Sequence, residues 1–346
     1  MRRTLTLFRF EPRSGPGQRL GCRLSKLLTA MTYAFCMIPT VSCNEDGLVS
    51  RVGNVDFAHR LSAYSIFAGE LKNLSPAEGF HVYELSTELF SDYALKQRLI
   101  RLPEGNVLIE KGVGLPDFPD STVMVKTFYY FHDFRDPSEG RRIVETRLLV
   151  KQKGKWDVAT YVWNESQTDA LLVDSGLNTT VNWINEKGEA AVISYHVPSV
   201  RECVTCHSYR NEVIPIGPKI RNLNRLIIGN GGEVNQLAHL EDLGLLKRTG
   251  IPVWHLPSWN DRNTGLEDRA RAYLDVNCGH CHTPGGFANE VNLSLTFEET
   301  EGGADIRQRK DAIAQMIRRG RMPLIGTTLV HREGLELIES YIKSLK

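Results

Sequence analysis

The sequence is short of nearly everything that would put it in a special class. Neither sign of charge dominates: 42 basic and 41 acidic residues leave a formal net charge of +1, and nothing resembles a nucleic-acid-binding surface. At 41% hydrophobic and 24% charged residues the composition is that of an ordinary globular chain, which excludes collagen, coiled coil and wholesale disorder. The apolar stretch near the start, Leu27 to Val41, is too short to cross a bilayer comfortably as a stable helix. Cysteine is scarce, with seven in 346 residues. Four of those seven nevertheless stand in one pattern that occurs twice.

Cys203-Val204-Thr205-Cys206-His207 and Cys278-Gly279-His280-Cys281-His282 each set two thiols one short turn apart with an imidazole directly after them. That spacing suits two thioether bonds to a haem edge while the histidine reaches the iron from one side. Rival chemistries fit less well. Two Cys-x-x-Cys pairs could give four thiolates to one structural zinc, but the 71 residues between Cys206 and Cys278 are long for a compact ribbon. A thioredoxin-like pair opens a helix after a strand in a βαβ unit, and neither pattern sits in such an alternation. Structural disulfides leave the repeated histidine unexplained. The expectation is two covalently bound haem c groups, attached through Cys203, Cys206, Cys278 and Cys281, with His207 and His282 as iron ligands.

Residues 1–43 read as an export segment. Seven basic residues and one acid precede residue 43, leaving 35 basic and 40 acidic residues, a net of −5, in the rest. A basic stretch ending at Lys26 and the apolar run after it resemble a signal peptide. Ser42-Cys43 resembles a lipoprotein cleavage site with Cys43 as the acylated residue, although Thr40 stands where an aliphatic residue is usual. Simple cleavage or an uncleaved anchor is the alternative. Export fits haem attachment, which in bacteria takes place outside the cytoplasm, and implies a periplasmic location.

Residues 56–198 carry no redox motif and read as β-rich. A short helical stretch, Ala58 to Leu71, and an irregular region precede strands over Thr122–Phe131, Ile143–Val150, Trp156–Trp163, Thr180–Asn185 and Ala190–His196, separated by turn clusters. Successive hairpins imply an antiparallel sheet, most simply a β-sandwich. Tyr129, Tyr130, Tyr161, Trp163 and Trp183 read as sheet core rather than a ligand pocket. His81, His132 and His196 have no metal-ligand spacing.

A first haem region is expected over 199–262 and a second haem domain over 263–346. In the latter, Leu266 to Val276 forms a helix feeding Cys278, Ala304 to Arg319 and Gly334 to Leu345 form two more, and Met322 precedes Pro323. Met322 is suited to the face of the iron opposite His282, and Met316, inside a helix, reads as core filling. The order follows that of small class I cytochromes c. No Met lies between His207 and Cys278. His239, in a helical stretch Glu233–Leu246, and His255, in an extended segment, are the imidazoles available as sixth ligand for the first haem; a Met or His from the β-rich region, or an open position, is equally allowed. The expected fold class is α+β, a β-sandwich-like N-terminal domain followed by a mainly α-helical, class I-like cytochrome c region.

The segments Glu84 to Arg98, Tyr161-Val162-Trp163-Asn164, Gly217 to Arg225 and Ala270 to Cys278 resemble a family of exported bacterial dihaem c-type cytochromes that combine a β-rich N-terminal region with two haem motifs and have no firmly assigned reaction. The resemblance runs from about residue 55 onward. It implies haem attachment at the same four cysteines, axial roles for His207 and His282, and association with a parallel β-helix protein as a redox partner. An electron carrier in the cell envelope is the favoured function. A dihaem oxidoreductase, peroxidase-like, with an open or exchangeable first haem is the alternative.

Overall fold

Strands here form where β-branched and aromatic residues run without interruption and glycine or asparagine turns the chain. The computed structural model describes residues 55–229, 231–298 and 303–345; the expected export segment with Cys22, Cys36 and Cys43 lies outside the described residues. Strands β1 (His81–Val82), β2 (Leu95–Arg101), β3 (Leu108–Ile109), β4 (Val123–Phe131), β5 (Arg141–Gln152), β6 (Lys155–Trp163) and β7 (Ala170–Val173) precede a two-stranded ribbon of β8 (Leu177–Ile184) and β9 (Ala190–Val197). All but β3 of the first seven make one antiparallel sheet in the order β1-β2-β4-β5-β6-β7. Lys153 and Gly154 both take positive φ between β5 and β6, the two-residue turn that matches the twist of paired strands.

The two faces of the sheet are buried differently. Leu99, Val125, Leu148, Tyr161 and Trp163 point into one apolar cluster, closed by Leu61, Ile66, Leu74 and Phe80 from the segment before β1. On the opposite face an apolar patch around Phe128, Tyr130 and Val144 is covered by Trp183, Ile193 and Tyr195 of the ribbon. A second patch, around Ile100, Met124 and Trp156, is covered by Leu223, Leu237, Leu240 and Leu246. Between these two patches runs a polar row. Arg98 is paired with Lys126, Lys126 with Arg147 and Arg147 with Thr160 across four neighbouring strands.

After the ribbon come six helices among the described residues: α1 (Val200–Cys206), α2 (Ile220–Leu223), α3 (Gln236–Asp242), α4 (Leu266–Asn277), α5 (Gly303–Arg318) and α6 (Arg332–Ser344). Interleaved with them are short strands β10 (Ser208–Tyr209), β11 (Glu212–Val213), β12 (Leu226–Gly229), β13 (Gly232–Asn235) and β14 (Leu246–Lys247). Leu274, Ile313, Ile317, Ile338 and Tyr341 join α4, α5 and α6 in one apolar cluster. None of the helices among the described residues is long and apolar enough to cross a membrane.

The fold class expected from the sequence is corrected here. The protein is β-rich, with 29% strand against 24% helix, and the haem-motif region is not a mainly α-helical, class I-like cytochrome c. Helices do occupy the expected places in the last third, but residues 199–262 fold into short strands and short helices. Positive-φ residues interrupt that stretch repeatedly, at Arg210, Asn211, Gly217, Gly232 and Gly244, and a helix cannot propagate through them. The expected helix Glu233–Leu246 therefore shrinks to α3, whose start is set by Asn235 Oδ1 accepting from Leu237 N and Ala238 N. The ribbon supplies only β8 and β9 against the large sheet, so two full sheets do not face each other as in a sandwich. The expected helix Ala58–Leu71 is replaced by two 3-10 turns, Leu61–Tyr64 and Leu71–Asn73.

The aromatic residues of the sheet belong to its core, with Phe128, Tyr130 and Tyr161 wholly buried. Phe128→Ala is expected to lower unfolding free energy by about 3–5 kcal/mol in denaturant titration, because the lost ring leaves a cavity between sheet and ribbon. A loss below about 1 kcal/mol would contradict this packing.

Candidate functional site

The first Cys-x-x-Cys-His opens where the ribbon ends. Ser199 Oγ accepts from Glu202 N while the Glu202 carboxylate accepts from Ser199 N at 2.8 Å; this capping box starts α1 within two residues of β9. The helix lies against β6, where Thr160 Oγ1 stands 3.8 Å from Cys203 Sγ. His207 ends the helix, its N–H donating to Cys203 O. The chain then reverses through Arg210 and Asn211, both at positive φ, and the β10–β11 hairpin returns Ile214 to the imidazole. His207 Nδ1 lies 2.7 Å from Ile214 O. A carbonyl only accepts, so Nδ1 carries the proton and Nε2 keeps a free lone pair, the arrangement that fixes a metal-binding imidazole. Burial lowers the His207 pKa to about 3, which keeps the ring neutral.

The second pattern follows α4 directly. Cys278 N and Gly279 N both donate to Leu274 O, and His282 N donates to Cys278 O. A Cβ on Gly279 would stand 2.6 Å from Asp275 O, so this position of the motif has room for glycine alone. His282 Nδ1 is buried without a hydrogen-bond partner, and burial lowers the pKa of the ring. Burial raises the pKa of all four thiols, and to about 12 for Cys206, where Cys281 and Cys203 add to it, and for Cys278, where Cys281 does. They are inert as thiolate nucleophiles, unlike the low-pKa cysteine of a redox pair.

Each pattern lines a cavity. The first lies between Cys203, Cys206 and His207 on one side and Met124, Lys126 and Arg147 of the sheet on the other. The second lies among Cys278, Cys281, His282, Met316 and Met322. They share a wall: Cys206, Asn277, His280, Pro323 and Ile325 line both. Buried polar contacts hold this wall in place. Asn277 Oδ1 accepts from Phe90 N at 2.8 Å, Asp92 accepts from Thr328 N and Leu329 N at 2.9 and 3.0 Å, and Asp275 accepts from Lys219 Nζ at 2.7 Å.

The residues expected to act together separate into those the structure gathers and those it does not. Met322 and its rival Met316 both line the second cavity. His239 and His255 do not line the first; His239 lies on α3 near His81, and His255 is exposed. Three residues at the first cavity escaped the sequence reading. His280, the inner residue of the second motif, has Nδ1 at 3.2 Å from Val276 O and a pKa lowered to about 4 by burial. Lys126 and Arg147 were detectable only as charges inside strands that are otherwise apolar. Among the described residues no group of three or more His, Cys, Asp or Glu gathers to hold a metal ion.

Comparison of the chain with protein-family models, with curated proteins and with solved structures finds no match. The functional reading accordingly stands on the site itself.

Gly279→Ala is expected to destabilise the protein by about 1–3 kcal/mol, because the added methyl meets the Asp275 carbonyl at the end of α4. Thermal or denaturant unfolding identical to wild type would show that the motif turn tolerates a side chain there.

Proposed function

We propose that the protein is a dihaem c-type cytochrome that relays electrons in the cell envelope. The observation that carries this reading is the shared wall: two Cys-x-x-Cys-His motifs, far apart in sequence, line adjoining cavities. The donor set fits the group. Cys203 and Cys206 in one cavity, and Cys278 and Cys281 in the other, carry free thiols for thioether bonds. His207, with Nδ1 held by Ile214 O, and His282 supply the imidazoles. Haem bound there would supply one-electron chemistry, and Met ligation of the second iron would raise its potential relative to bis-His ligation.

The chain's own residues do the rest. Leu293, Leu295, Ile313 and Ile317 give the second cavity an apolar lining that excludes water, and exclusion of water favours a haem that carries electrons. The family resemblance and the export segment support a periplasmic location, a lipid anchor at Cys43 and a redox partner of the parallel β-helix class. A second reading, an oxidoreductase acting at the first haem, draws on Lys126 and Arg147, two cations facing the first cavity.

Pyridine haemochrome quantification of the full chain, matured in a host that attaches haem c, is expected to give two haems per chain and one in the Cys203→Ala/Cys206→Ala variant. An unchanged count in the variant, or none in wild type, would remove the dihaem reading.

A further inference from the structure

The polar row across the sheet is out of place in a buried face. Arg98, Lys126 and Arg147 stand side by side on β2, β4 and β5, between two apolar patches. Each nearby acid is already engaged. Glu88 accepts from Arg98 at 3.1 Å. Glu145 takes Arg147 at 2.5 and 2.9 Å and the Tyr195 hydroxyl at 2.6 Å. Asp92 is occupied by backbone N–H groups, and Glu202, a carboxylate that lines the first cavity, accepts from Ser199 N and Ser199 Oγ at 2.8 Å and lies 3.0 Å from His196 Nε2. Lys96, a further cation on β2, adds to the positive field.

Lys126 is left over. Its ammonium makes no hydrogen bond or ion pair among the described residues and lies 5.0 Å over the ring of Phe128. A half-buried ammonium turned to a cavity, with only an aromatic face beside it, has no compensating charge within the chain, and filling the cavity without supplying one would be unfavourable. Lys126 and Arg147 both line the first cavity, with His207 and His280 as the neutral groups facing them. The missing charge therefore belongs to whatever fills that cavity.

We propose that Lys126, supported by Arg147, is an anion seat for a carboxylate-class oxygen anion in the first cavity. The anion comes from one of two sources, a carboxylate of the haem itself or a small exogenous anion bound beside its iron. The proposal rests on the haem reading and adds to it a residue that no motif contains. Arg147 is already neutralised in part by Glu145, so Lys126 carries the discriminating role.

The test uses the full-length, haem-loaded protein with Lys126→Met, Lys126→Gln and Lys126→Arg variants. Haem count and far-ultraviolet circular dichroism come first; fewer than two haems in wild type defeats the dihaem reading independently of this proposal. The oxidised proteins are then titrated with azide and formate, the reduced proteins with carbon monoxide, and the midpoint potentials are followed against pH. If the anion is exogenous, wild type shows a formate-dependent spectral change at one haem, and azide, as a second small anion, shows the same dependence. Lys126→Met and Lys126→Gln weaken it by about tenfold or more, Lys126→Arg stays within about threefold, and carbon monoxide binding is unmoved, as expected for loss of one charge-assisted hydrogen bond. If the anion is a haem carboxylate, formate and azide have no effect. One midpoint potential then becomes pH-dependent between about pH 6 and 8 in the neutral variants but stays flat in wild type and Lys126→Arg, because the carboxylate pKa rises when its cation is removed. Neutral variants that match wild type in both measurements would overturn the proposal. So would a displacement of potential that is the same at every pH, since that needs only a nearby charge.

Discussion

A strip of cations in the middle of a buried sheet face is the constraint around which the molecule is arranged. Lys126 is the one charged residue of β4, and its neighbours Arg98 and Arg147 extend the same strip. Burying such charges opposes folding unless each has a partner. The chain answers by dividing what covers that face. The β8–β9 ribbon covers one end, α2, α3 and β14 pack on the other, and neither closes over the strip. The first Cys-x-x-Cys-His is brought to the gap because α1 begins directly after the ribbon's last strand and rests on Thr160, the next residue of the row.

The second motif reaches the same place through longer connections. Asp275 on α4 is tied to Lys219 and Arg221, which belong to the segment that follows the first motif. Asn277 is tied to the loop before β2, and Asp92 of that loop to the backbone beyond Met322. These contacts are between groups distant in sequence and largely shielded from water, where hydrogen bonds to charged groups are stronger than at the surface. They make the wall between the cavities a structural unit, and electron exchange between two bound groups requires them to be held near one another.

Much of the candidate site was legible and much of the fold was not, for different physical reasons. A Cys-x-x-Cys-His is a local pattern visible in the chain, whereas the Ser199–Glu202 box that starts its helix went unread and came only with the structure. Strands β4, β5, β6, β8 and β9 announced themselves through β-branched and aromatic runs. Strand β2 did not, because Lys96, Arg98 and Arg101 gave Leu95–Arg101 the look of a solvated loop, although Arg98 is buried in the sheet and paired with Glu88. The mainly helical, class I-like expectation failed because three helices at the end of the chain were allowed to stand for the whole haem-motif region, while turn residues at 210, 211, 217, 232 and 244 shape residues 199–262. His280 was hidden in plain view between two cysteines. Its position on both cavities depends on tertiary packing that no local spacing encodes.

The shared wall is tested most directly by flash reduction of the fully oxidised, two-haem protein, followed at wavelengths that resolve the two haems, over a series of protein concentrations. The account predicts a phase in which one haem is oxidised as the other is reduced, with a rate independent of protein concentration. A redistribution whose rate rises in proportion to protein concentration, or no redistribution at all, would contradict it.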